Sequence, residues 1–140
     1  HSFPTRRSSD LSDDGSFLRH RRLSPPENLT WRSFCKGMLV CHQAFYARTD
    51  IAKDQFYNTD YHYSADVDWC IRVMKEASKR HLPLRNVHRV IVNYLEGGMT
   101  VKNHRASLNE RFYVMASHYG YIITVFMHIY FIFRAVEEKL

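Results

Sequence analysis

The chain has 140 residues, of which 45% are hydrophobic and 14% aromatic; this excludes a disordered protein and fits one domain or part of one. Twenty basic and fourteen acidic residues give a net charge of +6. This charge favours a phosphate-bearing ligand, an anionic membrane surface or nucleic acid without choosing among them. The three cysteines have no CxxC spacing, which argues against a disulfide framework or a zinc site and indicates free thiols in a reducing compartment.

The first residues, HSFPTRRSSDL, lack the apolar core of a signal peptide and any periodicity long enough for a helix or a strand. Composition leaves open an ordinary disordered terminus. Back-translation of the peptide, however, resembles the adapter that is ligated to DNA fragments for short-read sequencing. We therefore expect residues 1–11 to be an artefactual, adapter-derived stretch and the native chain to begin near Ser12.

The segment after Ser12 is predicted to be an irregular connection or a hairpin, because Asp14-Gly15 is a turn signal. Thr30 then predicts the cap of a short helix, TWRSFCKG, that ends at Gly37. The next run, MLVCHQAFYAR, is apolar and aromatic apart from two polar residues, and it predicts a buried strand.

The clearest helix is DVDWCIRVMKEASKRH, which begins at Asp66. Trp69, Val73 and Ala77 recur at helical spacing, and Pro83 prevents the helix from continuing. Acidic residues in its first turn and basic residues in its last turn match the helix dipole.

The rest of the chain is predicted to form a strand and two helices. LRNVHRVIVNYLEGG has strand character, and SLNERFYVMASHYG is an amphipathic helix that stops at Gly120. The charge-free apolar run Tyr121–Phe133 is shorter than the roughly 20 residues of a spanning helix, so it is expected to pack into a core or lie at a membrane interface. This alternation of strands and helices argues for an α/β domain.

Four polar residues are the first candidates for chemistry. Asp66 and Asp68 form an Asp-x-Asp pair that can hold a divalent cation, cap the helix, or supply a general base; spacing alone favours capping. His42 and Gln43 interrupt an apolar run, where unpartnered polar side chains are costly. They either form hydrogen bonds within the core or face a ligand.

A second group of candidates follows the predicted strand. Gly97, Gly98 and Thr100 in YLEGGMT form either a tight turn or a place where the backbone approaches a ligand closely. His104 is a candidate metal or phosphate ligand, and equally an ordinary loop histidine.

Taken in order, GMLVCHQAFYAR, YHYSADVDWCIRVMK, VNYLEGGMT and SLNERFYVMASHYG resemble the second half of a family 2 glycosyltransferase. The resemblance covers Leu29 to Gly120 and is closest to bacterial members that decorate surface polysaccharides. It implies an α/β fold, the C-terminal part of a Rossmann-like GT-A domain with a mixed sheet and flanking helices. Residues 12–119 would be the acceptor-side half of that domain, and residues 120–140 a C-terminal apolar helix.

The resemblance implies an inverting transfer of a sugar from a nucleotide-sugar donor to an acceptor hydroxyl in polysaccharide biosynthesis. Asp66 matches the catalytic carboxylate, which takes the proton of the attacking hydroxyl, while Arg72 and Glu110 match structural positions. Asp66 is therefore expected in an open groove. The residues implied for substrate binding are His42, Gln43, Asp68, Gly97, Gly98 and Thr100.

The family's donor half, with the Asp-x-Asp that holds Mg²⁺ or Mn²⁺ on the sugar diphosphate, has no counterpart in this sequence. The metal motif follows an apolar strand, whereas Asp66-Val67-Asp68 opens a helix. The resemblance therefore implies a fragment of an enzyme whose gene was truncated at its 5′ side, and the fragment would be inactive by itself. His104 is the metal candidate among the residues present. The intact enzyme would be located in the cytoplasm or at the inner face of the membrane, and it would bind no nucleic acid.

The alternative hypothesis is a basic binding module for nucleic acid or an anionic membrane surface. It rests on the net charge and on the basic run RHRR at residues 19–22. Such a module gathers its lysines and arginines on one surface and loses affinity as salt rises. The charges in this sequence are scattered, which favours the enzyme.

Overall fold

The computed structural model describes residues 8–12, 14–20, 23, 25–95 and 103–137. Helices make up most of its regular structure. The α-helices are α1 (Thr49–Ala52), α2 (Ala65–Lys79), α3 (His104–Tyr119) and α4 (Tyr121–Glu137). Two 3-10 helices span Trp31–Lys36 and His42–Ala44. The strands are β1 (Ser8–Leu11), β2 (Phe17–His20) and β3 (Val92–Leu95).

Helix α2 is the centre of the molecule, and the predicted helix is confirmed. Its apolar residues recur at helical spacing and pack against the first 3-10 helix and α3, burying Cys70, Ile71 and Met74 together with Phe34 and Val114. Each such side chain stabilises the fold by about 1.5–3 kcal/mol relative to an exposed position. Burial of this face places the polar face of the same helix at the surface.

The C-terminal end of α2 is set by a left-handed residue as well as by Pro83. His81 has φ 55°, its N–H donates to Ser78 O, and the Leu82 N–H donates to Ala77 O. This pattern is the Schellman motif, in which a glycine is the usual occupant of the left-handed position. The turn sends the chain back along α2.

Helix α3 and its stop at Gly120 are also confirmed. Gly120 has φ 85°, a conformation that disfavours side chains, and its N–H donates to Ala116 O. The short helix predicted after Thr30 is present as the 3-10 helix Trp31–Lys36, where the Thr30 N–H donates to Ser33 Oγ. Gly37 follows it with φ 107°.

The strands form one small sheet in the order β2-β1-β3. β1 and β2 are antiparallel and joined by a turn in which the Ser12 N–H donates to Ser16 O, so the segment after Ser12 is a hairpin. β3 pairs in parallel with β1. β1 lies in the stretch expected to lack regular structure; it forms because strands on both sides supply its hydrogen-bond partners.

The expected α/β GT-A fold with a mixed sheet and flanking helices is wrong. The described part of the chain is mainly helical, and each of its three strands has four residues. The predicted buried strand MLVCHQAFYAR contains the 3-10 helix His42–Ala44 and otherwise irregular backbone. Within residues 84–95, the described part of the second predicted strand, only Val92–Leu95 is a strand. Apolar runs become strands only where neighbouring strands complete the ladder, and here α2 covers the first run instead.

Helix α4 follows Gly120 directly and packs along α3. Thr124 is its buried residue, while most of its large apolar side chains are exposed. In the part of the chain that the structure describes, no helix has the length and apolar character to cross a membrane.

Candidate active site

The structure brings together two of the candidate residues, Asp66 and His42. Asp66 lies in the first turn of α2, and its Oδ2 atom is 2.9 Å from Nδ1 of His42. The Asp66 side chain is 25% exposed and that of His42 39% exposed, so the pair opens to solvent. The other carboxylate oxygen, Oδ1, accepts the N–H of Val67 at 2.9 Å.

Local backbone structure explains this pairing. Buried Cys41 and Ala44 hold the 3-10 helix His42–Ala44 against α2, which leaves His42 and Gln43 directed away from the core. Gln43 is exposed beside His42. The polar interruption of the apolar run therefore marks a short surface turn rather than two polar side chains buried in a strand.

An aromatic residue that the sequence did not single out lies near Asp66. Tyr57 stacks on Trp69, with ring centroids 5.3 Å apart and planes 10° apart. Burial raises the pKa of Tyr57, and the negative charge of Asp66 adds to this effect. Tyr57 is half-exposed, so part of its ring is accessible to a ligand.

Asp68 has a different environment from Asp66. Two residues further along a helix, a side chain is rotated by about 200° about the axis, so the two carboxylates lie on nearly opposite sides of α2. Its side chain is buried, with Oδ1 2.7 Å from His118 Nε2 and Oδ2 2.8 Å from Arg72 Nε. Burial raises the pKa of Asp68, but hydrogen bonds from His118 and Arg72 outweigh this and hold it below its ordinary value. The structure thus places Asp68 in a network between helices, away from the implied substrate site.

His118 is held from both sides. Lys75 Nζ lies 3.0 Å from its Nδ1 atom and 4.7 Å from the centroid of the Trp31 ring. A lysine ammonium can only donate, so Nδ1 accepts and the Nε2–H of a neutral His118 donates to Asp68. Burial lowers the pKa of Lys75. The network therefore fixes one tautomer of His118 and locks α3 against α2.

Glu110 of α3 holds the segment that leads into α2. Its carboxylate oxygens accept the backbone N–H groups of His62, Tyr63 and Ser64 at 2.8, 2.7 and 2.6 Å. A carboxylate at the start of a helix also interacts favourably with the helix dipole. Glu110 thereby fixes the backbone two residues before Asp66.

The remaining candidates lie elsewhere. Gly97, Gly98 and Thr100 are outside the described residues. His104 is exposed at the first residue of α3. Within the described ranges, no group of three His, Cys, Asp or Glu side chains could hold a metal ion. The implied Mg²⁺ or Mn²⁺ would be held mainly by the donor half, so it stays a prediction.

Two pockets, of about 300 and 410 Å³, lie beside the C-terminal half of α2. Both are bounded by Leu29, Met74 and the segment 82–84, and neither is lined by Asp66 or His42. The candidate site is therefore the partly exposed Asp66–His42 pair at the start of α2 rather than either of these pockets.

His118, Lys75 and Tyr57 were not predicted from the sequence as members of either site. Asp68 and His118 are 50 positions apart, a separation at which no sequence pattern signals contact. An acidic residue among apolar neighbours in a helix is expected to be buried, and a buried carboxylate requires a polar partner. Asp68 was therefore the sequence signal that a partner such as His118 exists.

Comparisons with protein families, with curated proteins and with solved structures found no match to this chain.

Proposed function

We propose that the surface around Asp66 and His42 is the acceptor side of an inverting glycosyltransferase site, with Asp66 as the general base. The observation that supports this most is the 2.9 Å contact between a partly exposed carboxylate and an imidazole at the start of a helix. The proposal rests on these side chains and on the resemblance in motif order, and not on a GT-A fold.

In the proposed reaction, the oxygen of the acceptor hydroxyl forms a bond to the anomeric carbon of the donor sugar. The bond from that carbon to the diphosphate breaks, and the nucleoside diphosphate leaves with the electron pair. Asp66 takes the hydroxyl proton as the oxygen attacks, which is the step where a positioned base contributes. His42 donates its Nδ1–H to the Asp66 carboxylate and orients it.

Gln43 is exposed next to His42 in the chain, and the charge of Asp66 acts on Tyr57. We assign to Tyr57 the contact with the apolar face of the acceptor sugar, because it presents an exposed ring. We assign to Gln43 a hydrogen bond with a hydroxyl of that sugar, because its exposed amide has donors and an acceptor. We place the enzyme in the cytoplasm or at the inner face of a membrane. A reducing compartment keeps thiols free, and Cys35, Cys41 and Cys70 are all free thiols.

The alternative, a basic binding module, has less support. Arg48, Arg72 and Arg80 form ion pairs with Asp50, Asp68 and Glu76, so part of the positive charge is already neutralised. A surface that binds phosphates through counterion release needs such charges to be available.

The first experiment is long-read sequencing of the source locus across the codons of Leu11 and Ser12, followed by an assay of the protein that the open frame encodes. Release of nucleoside diphosphate is measured with a panel of nucleotide sugars and saccharide acceptors. Asp66→Asn should lower kcat by about 10²- to 10⁴-fold, the usual contribution of a general base. The matched variant Asp54→Asn, at an exposed aspartate, should leave it unchanged.

Two results would change the proposal. Full activity of Asp66→Asn, or no transfer with any donor, would refute it. A loss for His42→Asn as large as that for Asp66→Asn would make His42 the base and Asp66 its orienting partner. In the 140-residue chain itself, acceptor saccharides should shift the amide signals of residues 42, 57 and 66 in NMR spectra.

A further inference from the structure

Lys75 differs from Lys79, the other lysine of α2, because its amine contacts an imidazole. Its Nζ atom lies 3.0 Å from Nδ1 of His118, and the other ring nitrogen of His118, Nε2, lies 2.7 Å from Oδ1 of Asp68. The three side chains therefore form a chain of hydrogen bonds from amine to imidazole to carboxylate. A nucleophile within reach of a base that a third group orients is the arrangement in which enzymes activate amines and hydroxyls.

His118 and Asp68 are enclosed, whereas Lys75 is partly exposed. The side chains of His118 and Asp68 are 9% and 8% exposed. Arg72 donates to the second carboxylate oxygen of Asp68 at 2.8 Å, which favours the ionised carboxylate. An ionised carboxylate at this place fixes the Nε2–H tautomer of the imidazole and stabilises the imidazolium that forms when Nδ1 takes a proton.

Burial and the surrounding charges act on the pKa of Lys75 in opposite directions. Burial lowers this pKa most, the charge of Asp68 raises it, and the charge of Lys79 lowers it. The Trp31 ring, whose centroid is 4.7 Å from Nζ, favours the ammonium, and the Arg32 guanidinium lies 5.0 Å from the same centroid. Desolvation prevails, so the pKa of Lys75 lies below its ordinary value of 10.5 and the reactive free amine is more abundant.

We propose that Lys75 is an acylation site at which the amine attacks an acyl thioester, with His118 as the base and Asp68 as the group that orients it. Nδ1 of His118 takes one proton from the ammonium, and the free amine then forms a bond to the carbonyl carbon. The C–S bond breaks, and the thiolate leaves with the electron pair. The nitrogen loses a second proton as the amide forms. Of the two protons released, one goes to the thiolate and the other, through His118, to solvent.

Space for the acyl donor adjoins the amine. The pocket of about 410 Å³ is lined by Trp31, Arg32, Met74 and Ser78, among others. Trp31 contacts the Lys75 amine, while Met74 and Ser78 lie one position before and three positions after Lys75 on α2. Coenzyme A carries acyl groups as thioesters and bears phosphates, which suit the exposed guanidinium of Arg32 at this pocket.

A purely structural role of the same contacts predicts the opposite reactivity. A lysine that only ties α2 to α3 is shielded and protonated, so it should react more slowly than Lys79, whose side chain is 75% exposed. Removal of the imidazole of His118 would then release the amine and speed its reaction. The acylation site requires faster reaction of Lys75 and a loss of this advantage without His118. The sign of each difference separates the two roles.

The test is incubation of the 140-residue chain with acetyl-coenzyme A at about pH 7.5, where an ordinary lysine is almost wholly protonated, followed by mass spectrometry of its peptides. Acetylation of Lys75 should be at least about threefold faster than that of Lys79, the matched control in the same helix. His118→Gln should lower the ratio of the two rates to about one or below, because the base is lost. Asp68→Asn should lower the ratio as well.

A measurement on the unchanged chain protects the test against a variant that fails to fold. Urea at a concentration that unfolds the chain should bring the ratio to about one, because the contacts of Lys75 with His118 and Trp31 are lost. A ratio of one or below in the folded chain would overturn the proposal. So would a ratio that stays high in urea, or in a His118→Gln variant with the circular dichroism of the unchanged chain. None of these readouts depends on sugar transfer, so failure here leaves the proposed activity to its own test.

Discussion

Asp68 Oδ1 lies 2.7 Å from His118 Nε2, and this contact joins the first turn of α2 to the last turn of α3. Arg72 closes the other side of the carboxylate and also donates to Gln55 Oε1 and Phe56 O in the loop before α2. One buried carboxylate therefore connects two helices and a loop. Its neighbour two positions earlier, Asp66, is partly exposed instead and pairs with His42.

Replacing Asp68 should destabilise the fold. Asp68→Asn keeps the shape of the side chain but removes the charge that His118 and Arg72 share, and a buried ion pair that loses one partner costs about 3 kcal/mol. Urea unfolding followed by circular dichroism measures the loss. Asp54→Asn, at an exposed site, should change the free energy of unfolding by less than about 0.5 kcal/mol. Equal stability of the two variants would show that the network contributes nothing.

The free energy of unfolding should depend on pH through the ionisation of Asp68. The pKa of Asp68 in the folded protein lies below its ordinary value of 3.8, so its contribution is fully present above that value and is lost as the pH falls through the folded pKa. The difference in unfolding free energy between the unchanged protein and Asp68→Asn should therefore be constant near pH 6 and shrink below about pH 4. Chemical unfolding at a series of pH values measures it; a gap that stays constant down to pH 2 would contradict the assignment.

The cysteines should react in the order of their exposure. Cys70 is fully buried, and burial raises the pKa of its thiol, whereas Cys35 is partly exposed. Since the thiolate is the reactive form, a maleimide should label Cys35 at least about tenfold faster than Cys70. Mass spectrometry of peptides after timed labelling gives both rates. Similar rates would mean that α2 is not packed as described.

The left-handed residue at the end of α2 offers a stabilising substitution. His81 has φ 55°, where a side chain costs about 1 kcal/mol that glycine avoids. His81→Gly should raise the free energy of unfolding by about 0.5–1 kcal/mol, since the Schellman turn already requires this conformation. His62→Gly, at a position without a positive φ, is the control and should lower it. A loss of stability for His81→Gly would show that the imidazole makes a contribution larger than the backbone strain.

The parts of the fold that sequence predicts well are those that local patterns determine. α2 follows from apolar spacing within fifteen residues, and α3 from a similar pattern that ends at Gly120. These elements satisfy their own backbone hydrogen bonds, so their existence needs no knowledge of the rest of the chain. The same holds for the hairpin turn at Gly15.

The parts that sequence mispredicts depend on distant partners. The run MLVCHQAFYAR has strand composition, but a strand requires a neighbour, and α2 buries Val40 and Cys41 without one. The opposite error concerns Ser8–Leu11, which has no strand pattern in its sequence but forms a strand because β2 and β3 flank it. For the candidate site, Asp66 and His42 were singled out from their own segments, whereas Tyr57 and His118 become visible only through contacts.

Glu110 provides the sharpest test of how the candidate site is built. Glu110→Ala leaves the N–H groups of His62, Tyr63 and Ser64 without their acceptor, and should cost about 2–3 kcal/mol of unfolding free energy. Glu110→Gln keeps one accepting oxygen and should cost about 1 kcal/mol. The local readout is amide hydrogen exchange at residues 62–64, which should accelerate in both variants, and more in the alanine variant.

Glu27→Ala is the control for Glu110, because Glu27 forms an exposed pair with His88 at 3.1 Å. Such surface pairs contribute about 0–1 kcal/mol, and exchange at residues 62–64 should not change. If Glu110→Ala left exchange at these amides unaltered, the start of α2 would be held by its own helix instead of by α3. The position of Asp66 would then be independent of the neighbouring helix, and a substitution in α3 could not affect the Asp66–His42 pair through this contact.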